Sequence, residues 1–184
     1  MAEICGIDEA GRGPLAGDLV IAGVILQERV EGLSDSKKLS EKKREELFEK
    51  IIAINPYHIV SFSPLEIDTD GLSSCLAKGL QEICTKLQAK RYIFDGNCKF
   101  GVEQIETMIK ADDKVQEVSA ASILAKVTHD RKIIEDAKRF PQYHFEKHKG
   151  YGTKLHKEMI LKHGYCEIHR KSYKIKELRE PSLF

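Results

Sequence analysis

The stretch "ICGIDEAGRG", residues 4–13, ends an apolar run with two adjacent acids and follows them with an arginine between glycines, an arrangement with no obvious packing purpose. Asp8 and Glu9 close one predicted strand, Asp95 closes another in "RYIFDGN", and Asp112 and Asp113 stand just ahead of a long helical pattern. If those strands are neighbours in one sheet, their carboxyl ends bring at least four acids to one mouth, where open sheets hold ligands. Carboxylates that close raise each other's pKa, and a bound divalent cation reverses this by favouring the charged forms. Hard oxygen donors without histidine or thiolate suit magnesium or manganese better than zinc. Two such ions roughly 4 Å apart can activate water and stabilise the leaving oxygen of a phosphodiester, with no side-chain nucleophile. Spacing alone does not choose between Asp112 and Asp113. Asp-Gly-Asn is also an ordinary turn, and an acid pair before a helix also complements its dipole.

The elements that must position these acids are legible from periodicity. Residues 3–8 and 19–26 are predicted as strands joined by the segment Gly11 to Gly17, and "YHIVSFS" and "RYIFDGN" as two more. A helix follows Ser40 as its N-cap, with Leu47, Phe48, Ile51 and Ile52 as the buried stripe, and a second runs from Leu72 to Leu87. A weaker mixed segment leads to Ile109. The stretch "VSAASILAKVTHDRKIIEDAKRF" predicts a long helix opened by Ser119 and stopped before Pro141. A basic glycine-bearing loop then precedes a helix from about Thr153 to His163, ended by Gly164. Early strands followed by alternating strands and helices predict an α/β fold, a mixed sheet flanked by helices.

The chain has 184 residues, 41% of them hydrophobic, which suits one domain, residues 1–184, with a basic C-terminal extension from about residue 142. Residues 142–184 carry a local charge of +5, leaving −4 in the rest, so an anionic partner is expected at the C-terminal side. The apolar run Leu19 to Leu26 is too short to span a bilayer, and Asp8, Glu9 and Arg12 interrupt any signal-peptide pattern, so a cytoplasmic protein with no membrane partner is expected. The cysteines, Cys5, Cys75, Cys84, Cys98 and Cys166, are widely spaced and odd in number, and are read as reduced thiols.

Taken together, "GIDEAGRGPLAG", "SDSKKLS", "FDGN", "KADD" with "VSAASILAKVTHDR", and "HKGYGT" resemble, in order and spacing, the type 2 ribonucleases H, the ribonuclease HII family, from Ile4 to about Tyr173. The resemblance implies a ribonuclease H-like mixed sheet of five strands and an endonuclease that hydrolyses the RNA strand of RNA/DNA hybrids. It also implies incision 5′ to single ribonucleotides embedded in duplex DNA, leaving 3′-hydroxyl and 5′-phosphate ends, with Mg2+ or Mn2+ as cofactor, two ions in the active complex. Carried over, the metal-binding catalytic acids fall on Asp8, Glu9, Asp95 and Asp112, the last because the family pattern Lys-x-Asp matches Lys110-Ala111-Asp112. Gly11, Arg12 and Gly13 would read the ribose 2′-hydroxyl and the adjoining phosphate, since glycine lets main-chain groups approach closely. Tyr151 would pack on the sugar of the following deoxynucleotide. Lys37 and Lys38 would reach phosphates, and His169-Arg170 would touch the nucleic-acid backbone.

The partners implied are RNA/DNA hybrid and ribonucleotide-containing duplex, bound by a monomer. The final "EPSLF" adds a sliding clamp, docked through Leu183 and Phe184. Departures from the family pattern are Asp18, an added acid close in sequence to the site, and His129 in place of an arginine. His144 and His148 are expected at the surface. A type 3 ribonuclease H would carry Gly-Thr-Gly in place of Gly-Arg-Gly and an added N-terminal domain, and a non-catalytic hybrid-binding module would lack a carboxylate.

Overall fold

A computed structural model describes residues 2–33 and 36–175, the side chain of Lys37 excepted. Strand β1 (Ala2–Ala10) pairs antiparallel with β2 (Leu19–Val24), which pairs antiparallel with β3 (Tyr57–Phe62). On the other side of β1 lie β4 (Ala89–Asp95) and then β5 (Ile105–Met108), both parallel, giving a mixed sheet of order β3-β2-β1-β4-β5. Helix α1 (Glu41–Ile54) precedes β3; α2 (Pro64–Asp70) and α3 (Leu72–Lys86) follow it. After β5 come α4 (Gln116–Arg139), α5 (Phe145–His148) and α6 (Lys154–His163). No helix among the described residues is long and apolar enough to cross a membrane.

Every position of β2 is buried, which an alternating strand achieves only when both faces of its sheet are covered. Leu19 and Ile21 join one core with Leu76, Leu80 and Ile83 of α3. Val20, Ala22 and Val24 join the other with Leu47 and Ile51 of α1 and Ala120, Ala121 and Leu124 of α4. The approach of α4 to β1 is unusually close. A Cβ at Gly6 would stand 2.1 Å from the main-chain carbon of Glu117 and 2.2 Å from the nitrogen of Val118. The small residues of "SAAS" continue that fit along the helix. A third cluster, with Ala16, Ile133, Tyr143, Phe145 and Ile168, fastens the C-terminal extension to the far half of α4.

The N-cap Ser40 stands where the sequence places it, its side chain accepting from the Lys43 amide, while Thr153, read as the start of its helix, is that helix's N-cap and accepts from the His156 amide. Three local readings are corrected. The long helix starts at Gln116 after Val115, not at Ser119, because the 3-10 turn Ala111–Asp113 feeds the chain in through main-chain bonds from Lys114 and Val115 to the Ala111 carbonyl. The mixed segment before Ile109 contains β5, a four-residue edge strand with two exposed polar positions and therefore no alternating apolar signal. The unanticipated α2 is started by a capping box between Ser63 and Glu66, with Pro64 in its first turn. Ile52 is half-buried, while Leu47, Phe48 and Ile51 form the buried stripe.

Gly6→Ala drives a methyl group into main-chain atoms that cannot swing aside. The expected result is a loss of about 3 kcal/mol or more in denaturant unfolding, whereas Gly71→Ala, with open space around it, costs only the strain of its positive φ.

Candidate active site

Asp8 and Asp95 are neighbours because β1 and β4 run parallel, with Ile7 opposite Phe94 one step earlier. Asp112 comes to them on the 3-10 turn, whose Ala111 amide donates to Asp95 Oδ1 at 3.1 Å. One carboxylate oxygen from each of Asp8, Asp95 and Asp112 lies within 4.8 Å of the others, and Asp8 and Asp112 are buried. Burial first, then the charges of Glu9 and Asp95, hold the Asp8 carboxyl well above the usual range against the hydrogen bonds from Ser122 and the Glu9 amide. Glu9 stands beside this trio. Burial raises its pKa while Arg12 lowers it; Arg12 Nη1 donates to Oε1 at 3.0 Å, and Oε2 is buried with no partner.

An all-oxygen donor set, the raised pKa values of Asp8 and Glu9 and an orphaned buried oxygen all fit a hard divalent cation. The ambiguity between the two acids of "KADD" is settled by a distant residue. Lys38 Nζ donates to Asp113 Oδ1 at 2.6 Å and holds that carboxyl at the surface, below its usual pKa, so Asp112 alone joins the trio.

Asp8 and Glu9 share a cavity of about 360 Å³ with the loop of Gly11, Arg12 and Gly13 and with Tyr151, whose ring lies beside Gly13. Gly11 has φ +91°, and a Cβ there would lie 2.4 Å from the Asp18 carbonyl oxygen and 2.7 Å from His129 Cδ2, so only glycine fits. Tyr151 is 42% exposed, with Lys126 Nζ 5.8 Å from its ring centroid. Lys126 is bridged to Asp130 at 2.9 Å. Three lining residues escaped the sequence reading: Ser36, Ser122 and Lys126. Ser122 and Ser36 share a buried hydrogen bond of 2.7 Å. The signal for Ser122, Lys126 and Asp130 was available, because they recur every four residues on one face of α4.

Several proposed contacts stand elsewhere. His169 and Arg170 are buried, leaving no surface for a nucleic-acid backbone. Arg170 works from behind the glycine loop, donating from Nε and Nη2 to the Gly17 carbonyl at 2.9 and 2.8 Å and from Nη1 to the Arg12 carbonyl at 3.3 Å. Tyr173 Oη donates to that same Arg12 carbonyl at 2.7 Å. Lys38 is exposed but paired with Asp113, and Lys37 lies in the adjoining 3-10 turn. Asp18 does not join the acids: it pairs with Lys132 of α4. His129 is buried beneath Gly11, with Nδ1 3.0 Å from Asp130 Oδ1. His148, expected at the surface, is buried against Phe145 and His156, while His144 is half-buried. Leu183 and Phe184 lie outside the described residues.

A family model for ribonuclease HII matches residues 5–176. Among curated proteins, the ribonuclease HII of Sulfurovum sp. (strain NBC37-1) is 60% identical over 181 residues, covering 98% of this chain and 96% of the relative. That of Campylobacter hominis is 60% identical over 179 residues, covering 96% and 97%. Among solved structures, the ribonuclease HII from Archaeoglobus fulgidus, determined in complex with PCNA, superposes with a TM-score of 0.79 at 28% identity and covers 98% of both chains.

The raised pKa values have a thermodynamic consequence. A carboxyl whose folded pKa lies above its unfolded value destabilises the fold as pH rises through the folded value. Near neutral pH, Asp8→Asn is therefore expected to stabilise the metal-free protein, by on the order of 1 kcal/mol or about 2–4 °C in Tm. Mg2+ or Mn2+ raises Tm in the parent and much less in the variant; an Asp8→Asn protein melting lower than the metal-free parent contradicts this assignment.

Proposed function

The chain belongs to the ribonuclease HII family, metal-dependent endoribonucleases of the type 2 ribonuclease H class, and on that premise we propose that it hydrolyses the RNA strand of RNA/DNA hybrids and incises duplex DNA on the 5′ side of a single embedded ribonucleotide, leaving 3′-hydroxyl and 5′-phosphate ends. The observation that carries this reading is one cavity in which Asp8 and Glu9, at the edge of the carboxylate cluster, meet the glycine loop and an exposed aromatic ring. Asp8, Asp95 and Asp112, with Glu9 beside them, would hold Mg2+ or Mn2+. Two such ions, when bound, supply activation of the attacking water and stabilisation of the leaving oxygen.

The rest of the work falls to the protein. Gly11 and Gly13 let main-chain groups approach the ribose 2′-hydroxyl, the one group that separates RNA from DNA at a single position. Arg12 neutralises Glu9 and stands next to the phosphate path. The Tyr151 ring takes the sugar of the next deoxynucleotide, where an added hydroxyl would clash. Lys126 stands beside that ring, and Lys37 and Lys38 of the 3-10 turn would serve as phosphate contacts, Lys38 exchanging Asp113 for a phosphate. We extend the reading to a sliding clamp, engaged through Leu183 and Phe184, because the Archaeoglobus relative was solved with one.

End-labelled duplex DNA carrying one ribonucleotide, incubated with Mg2+ or Mn2+, is expected to show one cut 5′ to the ribonucleotide, abolished by EDTA. Asp8→Asn should lower the rate by about 10³-fold or more while leaving substrate affinity within a few fold, because phosphate contacts supply much of the binding. Cleavage of long hybrids alone is the type 3 outcome, and binding without cleavage the non-catalytic one. Tyr151→Ala should reduce incision at single ribonucleotides at least about 10-fold more than cleavage of long hybrid. Deleting Leu183 and Phe184 should abolish clamp binding and leave incision of free duplex intact; unchanged clamp affinity removes that part of the proposal.

A further inference from the structure

Directly behind Tyr151 the extension buries three histidines, His148, His156 and His169, that the proposed reaction does not use. Their hydrogen bonds can be directed without ambiguity. The Cys166 amide donates to His169 Nδ1 at 2.9 Å, and the Cys166 thiol lies 3.0 Å from the same nitrogen, so Nδ1 is an acceptor and a neutral His169 carries its proton on Nε2. His169 Nε2 is 3.0 Å from His156 Nε2, which must accept; His156 therefore carries its proton on Nδ1 and donates it at 3.0 Å to the Tyr151 carbonyl. A proton added to either ring would set two donors face to face. Burial also pulls both imidazoles down to about 4, so both are neutral at working pH.

The surroundings reinforce one arrangement. His148 stacks on His156 at 4.3 Å and lies 2.9 Å from the Tyr143 carbonyl through Nε2. The rings of Tyr143 and Phe145 pack edge-on against His169 and His156. The relay also has a fixed anchor. His169 bridges Ala16, while the Gly17 amide donates to the Ile168 carbonyl at 2.9 Å and the Arg170 amide to that of Leu15 at 2.8 Å. One end of the relay is thus tied to the segment following Gly11–Gly13, and the other ends on the carbonyl of Tyr151, whose ring lies beside Gly13.

We propose that the directed relay Cys166–His169–His156 is a positioning device that holds Tyr151 in register with the glycine loop, so that His156 and His169 determine how sharply the enzyme senses the RNA-to-DNA junction. This rests on the reading of Tyr151 as the junction-sensing ring. It makes His156 the less common neutral tautomer, protonated at Nδ1.

Two measurements test it. Long-range 1H–15N spectra of the full chain near neutral pH should show His156 as the Nδ1–H tautomer and His169 as the Nε2–H tautomer, both neutral; a His156 proton on Nε2, or a charged ring, overturns the relay. The second measurement is the ratio of kcat/KM for a duplex with one ribonucleotide to kcat/KM for a long hybrid. His156→Leu should lower that ratio about 10-fold, as Tyr151→Ala does, because the main chain that carries the ring loses the bond to its carbonyl. His156→Asn, whose amide N–H can replace the donor at Nδ1, should restore most of it. If Tyr151→Ala lowers the ratio and soluble His156→Leu does not, the relay fails alone; if Tyr151→Ala leaves the ratio unchanged, the junction reading fails and the relay's role with it. Should His156→Leu not fold, the His156→Asn ratio and the parent tautomers still decide.

Discussion

Like charges crowded at the carboxyl ends of β1 and β4 set the terms for the rest of the molecule. Asp8 and Asp112 are under a tenth exposed and, with Asp95, face one another at distances where carboxylates repel. A chain free to relax would spread them. Here the restraints are almost all main chain: parallel pairing of two strands, an amide from Ala111 on Asp95, and the seat of α4 on Gly6. Those restraints draw their strength from the two apolar cores that sandwich β2, whose Ala22 and Ile21 stand opposite Asp8 and Glu9. The scaffold thereby stores a repulsion that a cation relieves, and it keeps the donor oxygens in place before the cation arrives.

The glycine loop is restrained in a complementary way. Arg12 turns its guanidinium toward Glu9 and its carbonyl toward Arg170 and Tyr173, so that one residue joins the acid cluster to the C-terminal extension. Gly11 is wedged between the Asp18 carbonyl and His129, and Gly17 against Ile133. Donors and acceptors that do not drift are what lets a polar site discriminate, because discrimination comes from polar groups left unpaired by the wrong ligand. Burying Arg170 against carbonyls serves that end better than a surface contact would.

What the sequence revealed and what it concealed divide by distance along the chain. Ser40 was legible as a cap because a cap is satisfied by an amide three residues away. Asp8, Glu9 and Asp95 were legible because strand ends carry their own turn chemistry. Ser119 misled because the real start of α4 is provided by a preceding 3-10 turn rather than by a side chain. Asp112 could not be told from Asp113 by spacing, since the difference is a lysine 75 positions earlier. His148 looked like a surface histidine because the short helix of residues 145–148, which packs it on Phe145 and His156, has no periodic apolar signal of its own. Arg170 looked like a phosphate contact because its partners, the carbonyls of Arg12 and Gly17, carry no side-chain signature at all.

Helix α4 joins the two functions. Along one side it carries Ser122, bonded to Asp8; Lys126, beside the Tyr151 ring; His129, beneath Gly11; and Ile133, against Gly17. From Ser122 to His129 is seven residues, about 10 Å along a helix axis. The acids and the aromatic wall are therefore spaced by covalent geometry rather than by loop conformation. The acid that Ser122 meets belongs to β1 and the ring that Lys126 meets to the C-terminal extension, so one rigid helix packed against both fixes the distance between them.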